Sequence, residues 1–312
     1  VREQKPFLKS DSLDPHSTRS GLVVAGYGRH CVVEATSGER LICHPRGKKG
    51  HFVVGDRVRW KVSGDEGVIE EIEPRRNLLF REDAWKTKAF AANLDQVVLV
   101  VSSDPVFSES QLARALIAAE SAGIAASILL NKVDLPQASL AMDRLKPYPA
   151  MGYPVLPVSL KADPESASRL LLQRFEGCAS LVLGPSGAGK STLINLLAPD
   201  ARAQVGEISL ALRSGRHTTT ATHWYWLDED KRSALIDSPG FQAFGLRQIA
   251  ARDLTNLMPD LRDGSTHCRF YNCTHRKEPG CGVRAALDSG EITESRYRIY
   301  GEIREELDAG RP

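Results

Sequence analysis

The sequence predicts a multidomain α/β protein in three parts. An OB-type β-barrel comes first, then a mostly parallel sheet with helices on both faces, then a helical segment built around a metal site. Three observations carry this. Short alternating strands separated by charged turns fill Gly21 to about Arg81 without a helical stretch. After Asn93, continuous apolar strand-like runs alternate with helical ones. Towards the C-terminus, three of the six cysteines crowd around a histidine.

Residues 1–20 hold Lys, Ser, Asp, Pro and Arg with little apolar periodicity, which predicts a flexible tail. The barrel is placed at 21–82. Its expected strands are Gly21–Ala25, His30–Ala35, Arg40–Cys43, Arg57–Val62 and Gly67–Ile72. Turns such as Thr36-Ser37-Gly38-Glu39 and Ser63-Gly64-Asp65-Glu66 separate them. Arg46-Gly47-Lys48-Lys49, Arg57, Arg59, Arg75, Arg76 and Arg81 give this segment a basic character, and Tyr27, Phe52 and Trp60 are candidates for stacking. Barrels of this type bind RNA through loops and strand faces. The alternative is a set of solvated charges, diluted by Glu70, Glu71 and Glu73.

The α/β part is placed at 90–247. Gln96–Val101 is a β-branched run of the kind buried on both sheet faces, and Ser110–Ala122 has helical spacing. Ser127–Leu130 and Val155–Val158 read as further strands, and Ser180–Leu183 runs into Gly184-Pro185-Ser186-Gly187-Ala188-Gly189-Lys190-Ser191-Thr192. That segment fits G-x-x-x-x-G-K-[ST] between a strand and a helix, the context a phosphate loop requires. Its glycines let backbone N–H groups and a helix N-terminus face negative charge. Lys190 would reach the β- and γ-phosphates, and the Ser191 hydroxyl would bind Mg²⁺. A glycine-rich turn before an ordinary helix is the bland alternative, and it leaves the lysine and serine unexplained.

Asn131-Lys132-Val133-Asp134 follows a strand, at the end where such sheets bind ligands. A carboxylate at Asp134 can accept hydrogen bonds from guanine N1–H and its 2-amino group, which adenine cannot offer in that arrangement. Asn131 would tie this loop to the phosphate loop, and the Lys132 stem would pack over the base. Ser159 and Leu160 also follow a strand and fit a backbone contact to the base; a plain strand-to-helix turn is the equal alternative. Asp237-Ser238-Pro239-Gly240 follows Ala234–Ile236 and fits a D-x-x-G switch, Asp237 holding Mg²⁺ through water and the Gly240 N–H sensing the γ-phosphate.

Between them lies Gly215-Arg216-His217-Thr218-Thr219-Thr220, polar enough for a mobile first switch. One of Thr218, Thr219 and Thr220 would complete the Mg²⁺ shell. Phe241 stands where many GTPases carry the glutamine that orients the attacking water. Unaided hydrolysis should then be slow, with His217 the candidate to position the water; a solvated histidine is the alternative. The motif order is base loop, second base loop, phosphate loop, first switch, second switch. This is a circularly permuted P-loop GTPase domain, an order that nearby termini permit. The second switch then leads directly into the C-terminal part, so loss of the γ-phosphate could pull on it.

That C-terminal part, 248–312, is helical in texture and contains Cys268-x4-Cys273-x-His275-x5-Cys281. Three thiolates and an imidazole form a closed tetrahedral Zn²⁺ set with no position open for catalysis, so the metal would be structural. His267 is the residue most easily mistaken for a ligand. Cys31, Cys43 and Cys178 lack partners at metal spacing.

Composition sets limits. A length of 312 residues suits two or three domains, and the net charge of +2 excludes a polycation. No apolar run reaches membrane-spanning length, and the start shows no signal-peptide stretch, so a cytoplasmic protein is expected.

Taken in order, five features resemble the RsgA (YjeQ) family of small-subunit-dependent, circularly permuted GTPases. They are Arg46-Gly47-Lys48, Ala91-Ala92-Asn93-Leu94-Asp95-Gln96, Gly215–Thr220, Asp237–Phe241 and the Cys268/Cys273/His275/Cys281 set. The resemblance implies GTP hydrolysis to GDP and phosphate in late maturation of the 30S ribosomal subunit, stimulated by that subunit. It implies contact with 16S rRNA, no membrane, and Mg²⁺ and one structural Zn²⁺ as cofactors; a monomer is expected. Leu160 and the charged hairpin Asp228-Glu229-Asp230-Lys231 depart from the family pattern. The competing reading is an RNA-binding checkpoint module that senses GTP or GDP without significant turnover.

Overall fold

The structure, a computed structural model, describes residues 17–47, 51–83, 86–201, 221–238 and 246–309. The tail before Ser17, Lys48, Lys49, the first switch with His217, Thr218, Thr219 and Thr220, and Gly240 and Phe241 of the second lie outside them.

Five strands close the barrel: β1 (Arg19–Tyr27), β2 (His30–Ala35), β3 (Arg40–Pro45), β4 (Arg57–Ser63) and β5 (Glu66–Ile72). Their order is β1-β2-β3-β5-β4, with β4 returning to β1. Only β3 and β5 run parallel. This closed five-strand circuit is the one expected of an OB-type barrel. It needs no helix because inward positions alternate: Val58, Trp60 and Val62 of β4 are buried while Arg57 and Arg59 are exposed. Trp60 is 1% exposed and fills the barrel core, so it offers no stacking surface. Cys31 and Cys43 face each other across β2 and β3, also fully buried.

A hairpin not anticipated from the sequence follows, β6 (Leu78–Asp83) and β7 (Lys86–Ala92). It is fastened to the barrel at Gly55, whose added Cβ would lie 2.1 Å from the Ala92 carbonyl oxygen. The same corner holds Asp56, which accepts from Arg75 Nε and Nη2 at 2.7 and 2.8 Å and from Val53 N at 2.7 Å.

The central sheet places β10 (Val155–Val158), β9 (Ala125–Asn131), β8 (Gln96–Ser102), β11 (Ala179–Leu183) and β13 (Ala234–Asp237) side by side and parallel. All of β8 is buried. Its residues alternate between two apolar layers. Val97, Leu99 and Val101 join the core beneath α1 (Glu109–Ser121) and α2 (Ala138–Leu145). Val98 and Val100 join that beneath α3 (Pro164–Phe175) and α4 (Lys190–Leu197). Helices therefore cover both faces, the condition that makes parallel strands uniformly apolar. Helix α1 begins at Ser108, whose hydroxyl accepts from Gln111 N, and α3 begins at Asp163, whose carboxylate accepts from Ser166 N.

Strand β12 (Thr222–Trp226) is antiparallel to β13 and also pairs with barrel strand β1 through Ala25↔His223 and Gly26↔Thr222. Barrel and central sheet thus form one 11-stranded surface. Glu34 reinforces the junction, accepting from Trp226 Nε1 at 2.8 Å and from Lys231 Nζ at 2.6 Å. Lys231 belongs to the charged hairpin, which therefore makes a contact with the barrel.

The C-terminal part has two 3-10 turns, Ala251–Asp253 and Thr255–Leu257, then α5 (Pro259–Ser265), α6 (Gly282–Asp288) and α7 (Glu294–Ala309). Helix α7 lies on α1 through Arg114–Glu306 and Ser295–Glu109. Arg296, 4% exposed, forms a bidentate pair with Asp260 at 2.7 Å and sits 5.8 Å from the Tyr148 ring centroid. No helix among the described residues is long and apolar enough to cross a membrane.

Candidate functional site

The loops that leave the carboxyl ends of β9, β10, β11 and β13 meet at one edge of the central sheet. Strand register fixes this, since Asn131 pairs with Ser102 and Val158, and Val182 pairs with Asp237. The loop from Gly184 to Gly189 needs its glycines for space. A Cβ at Gly184 would lie 2.2 Å from the Val100 carbonyl oxygen, and one at Gly189, where φ is +111°, 2.2 Å from Asn131 Nδ2. Ser186, Gly187 and Ser191 are exposed, Pro185 and Thr192 half-buried, and Ala188 buried. Lys190 opens α4, and its ammonium donates to the Gly184 and Pro185 carbonyls at 2.7 and 2.9 Å.

Asn131 joins three loops. It is 5% exposed, donates Nδ2 to the Ala188 carbonyl at 2.9 Å, and accepts the Leu160 N–H at Oδ1 at 3.1 Å. Ser159 Oγ accepts the Asp134 N–H at 3.1 Å. The Leu160 side chain is 2% exposed and packs in the core under α3 and α4, so its bulk points away from the loop surface. Lys132 adopts a left-handed φ of +64°; its carbonyl accepts from Ser103 Oγ at 2.6 Å and its ammonium donates to the Asp104 carbonyl. Asp134 is exposed.

Asp237 ends β13 beside this loop. Burial pushes its carboxyl up to about 6, opposed by the Lys190 charge and the Ser238 N–H. Burial likewise lowers the Lys190 ammonium from its ordinary value, with Asp237 opposing. A carboxylate and a hydroxyl beside a glycine-rich loop are a hard oxygen donor set, and a buried carboxyl raised in this way is one that a divalent cation would return to its charged form. Ser238 Oγ donates to the Val182 carbonyl at 3.0 Å and ties the second switch to β11.

The Cys268, Cys273, His275 and Cys281 ligand atoms lie within 4.8 Å of one another. His275 Nδ1 is 3.5 Å from both Cys268 and Cys281 Sγ, which are 4.0 Å apart. A tetrahedral zinc with ordinary Zn–S and Zn–N bonds has edges of about 3.5–3.8 Å, so the residues fit that ion. The Gly282 N–H donates to Cys268 Sγ and the Arg284 N–H to Cys281 Sγ, at 3.3 and 3.5 Å. His267 is exposed and outside the cluster; Cys178 is half-buried and also apart.

Two contributors carry no sequence signal. Ser103 and the Asp104 carbonyl brace Lys132 from the end of β8, through a backbone acceptor and a common residue type. Tyr27 of the barrel reaches His223 at 3.4 Å, and His223 faces Asp237 across the β12–β13 ladder.

The sequence profile of the RsgA GTPase family matches residues 72–247. Over 296 residues the chain is 58% identical to the small ribosomal subunit biogenesis GTPase RsgA of Variovorax paradoxus, covering 93% of both chains. The corresponding protein of Burkholderia pseudomallei is 50% identical over 286 residues, covering 91% of this chain and 90% of that one. Among solved structures, YjeQ from Thermotoga maritima superposes with a TM-score of 0.72 at 31% identity, covering 95% of this chain and all of that one. The circularly permuted GTPase YloQ gives 0.71 at 28% identity, covering 96% and 98%.

Proposed function

The chain belongs to the RsgA GTPase family, and from that premise we propose that it hydrolyses GTP during maturation of the small ribosomal subunit, which stimulates turnover. The observation that carries the site assignment is the Asn131 side chain bonded to both the phosphate loop and the second base loop. It supports one nucleotide spanning these loops, guanine over Asp134 and Lys132, with Ser159 and Leu160 on the base side. The phosphates would run along Gly184–Thr192. Water attacks the γ-phosphorus, the bond to the β–γ bridging oxygen breaks, and the water's proton leaves with phosphate.

Lys190 exchanges its two carbonyl acceptors for β- and γ-phosphate oxygens. Ser191 and Asp237 would hold Mg²⁺, which when bound neutralises charge developing on those oxygens. A threonine among Thr218–Thr220 would complete that shell, and His217 would position the water. The Cys268, Cys273, His275, Cys281 set would hold one structural Zn²⁺. The barrel, at 21–82, contacts 16S rRNA; the nucleotide part spans 90–247 and the zinc part 248–312. The protein works in the cytoplasm as a monomer. Phe241 keeps the sensing-only reading in play, since an apolar side chain cannot orient the water.

Phosphate release from GTP and from ATP, by the wild type and by Lys190→Ala, tests the assignment. Release from GTP at least about tenfold above ATP, lost in Lys190→Ala, is expected. Tight GTP binding without release under any condition would leave the sensing module.

A further inference from the structure

Strand register lines up one row of side chains across the sheet. Ala25 of β1 pairs with His223 of β12, and His223 with Asp237 of β13. Asp237 pairs in turn with Val182 of β11, and Val182 with Val98 of β8. Paired residues project from the same sheet face, and directly opposite antiparallel residues bring their Cβ atoms to about 4.5–5.5 Å. His223 is therefore the cross-strand neighbour of Asp237. Ala25, Val182 and Val98 are apolar and buried, whereas His223 is polar and only 4% exposed. Burying a polar ring is costly unless it is hydrogen-bonded, so folding alone favours an apolar residue there.

Two tyrosines hold that imidazole, one from the central sheet and one from the barrel. Tyr225 of β12 is buried in the layer beneath α3 and α4 and stacks on it, with centroids 6.0 Å apart and planes at 16°. Tyr27 of β1 meets it edge-on, with centroids 5.5 Å apart and planes at 73°. The Tyr27 hydroxyl lies 3.4 Å from His223 Nε2. Tyr27 stands two residues beyond Ala25, hence on the same face of β1, and the small Ala25 side chain leaves the diagonal reach to His223 open. The β1–β12 ladder is two residue pairs long among the described residues, so this ring contact sits at a narrow connection between barrel and central sheet.

We propose that His223 is a positioning residue for Asp237, braced by Tyr27, so that the barrel sets how well the nucleotide site holds Mg²⁺. This rests on the reading of Asp237 as a Mg²⁺-holding carboxylate. A shift of β1 carries Tyr27 with it and takes from the imidazole one of its two supports, and Asp237 then loses a fixed neighbour. The test measures binding of a fluorescent, non-hydrolysable GTP analogue by the full chain, across Mg²⁺ concentrations at constant pH and again in a chelator. The Mg²⁺ midpoint of the metal-dependent gain in affinity should rise about tenfold in His223→Ala. It should rise roughly threefold in Tyr27→Phe, which removes only a hydroxyl. His223→Gln, whose amide can still meet that hydroxyl, should stay within about twofold of wild type. Affinity in the chelator should match wild type for all three, which a general loss of the fold would not allow. Tyr27→Phe should have no further effect in a His223→Ala background, because the hydroxyl then has nothing to act through.

Asp237→Asn serves as the reference. A raised midpoint in Asp237→Asn, with His223→Ala and Tyr27→Phe both at the wild-type value, would overturn the brace and leave the Mg²⁺ reading standing. An unchanged midpoint in Asp237→Asn would overturn the Mg²⁺ reading itself, and the brace with it. A Tyr27→Phe effect that persists in full in the His223→Ala background would also overturn the brace, since the barrel would then reach the metal by another route.

Discussion

Under the proposed function Asp134 carries the choice of base, and its chemistry makes the choice reversible. A carboxylate accepts both guanine donors; the amide of Asp134→Asn offers one acceptor and one donor. Xanthine has a carbonyl in place of the 2-amino group, so it suits the amide. GTP affinity of the variant should fall roughly 100-fold while xanthosine triphosphate gains, read by competition against labelled GDP. Unchanged preference for GTP would place the base elsewhere. At the junction with the barrel, burial holds His223 down at about 4, and the Arg40 charge adds to this. The unfolded chain therefore binds a proton between about pH 6.5 and 4 that the folded chain refuses. Stability from this residue is full above 6.5 and is lost as pH falls towards 4, by an amount on the order of 3 kcal/mol. His223→Gln should flatten that part of the urea-midpoint profile; a slope identical to wild type would show the residue titrating normally. The loop-joining position of Asn131 was legible because the spacing of Asn131 and Asp134 after a strand is informative. The His223–Tyr27 contact was not, because neither residue type nor spacing marks a partner nearly 200 positions away.

At the scale of elements, the strands legible in advance were those with clean alternation or a continuous apolar run. Strand His30–Ala35 was placed at both ends, and Arg57–Val62 fell one residue short of the observed Arg57–Ser63. The β6–β7 hairpin was not, because Arg81-Glu82-Asp83 and Lys86-Thr87-Lys88 dilute its apolar pattern. Strand β12 was also missed. Its Thr222-His223-Trp224-Tyr225-Trp226 run has no period-two contrast because both faces are buried. The Cys268, Cys273, His275, Cys281 cluster was readable from spacing alone, since four ligand-type residues that close in sequence leave few ways to avoid one another. Its helices are short, α5 and α6 spanning seven residues each, and such helices do not persist without tertiary support. One zinc per chain is expected by atomic emission, and its removal by a chelator should lower the thermal midpoint by several degrees. An unchanged midpoint after complete removal would show that the ion does not hold α5 and α6 in place.

Over the whole molecule, one continuous sheet runs from the base loops through the phosphate loop to the barrel. The strand that follows the first switch is the strand that meets β1, and the second switch precedes the segment that packs on α1. Under the proposed function the first switch therefore leads out of the nucleotide site into the barrel proposed to contact 16S rRNA, and the second into the C-terminal part. Permuted motif order was visible in the sequence, whereas the β12–β1 pairing that gives it mechanical meaning was not. A nucleotide site so connected should respond to what the outer units touch, and Phe241 leaves room for that response. The most direct measurement is the rate of GTP hydrolysis by the purified protein, alone and with 30S subunits added. The account predicts slow turnover alone, at least about tenfold stimulation by 30S, and no turnover in Lys190→Ala under either condition. An identical rate with and without 30S subunits would contradict it.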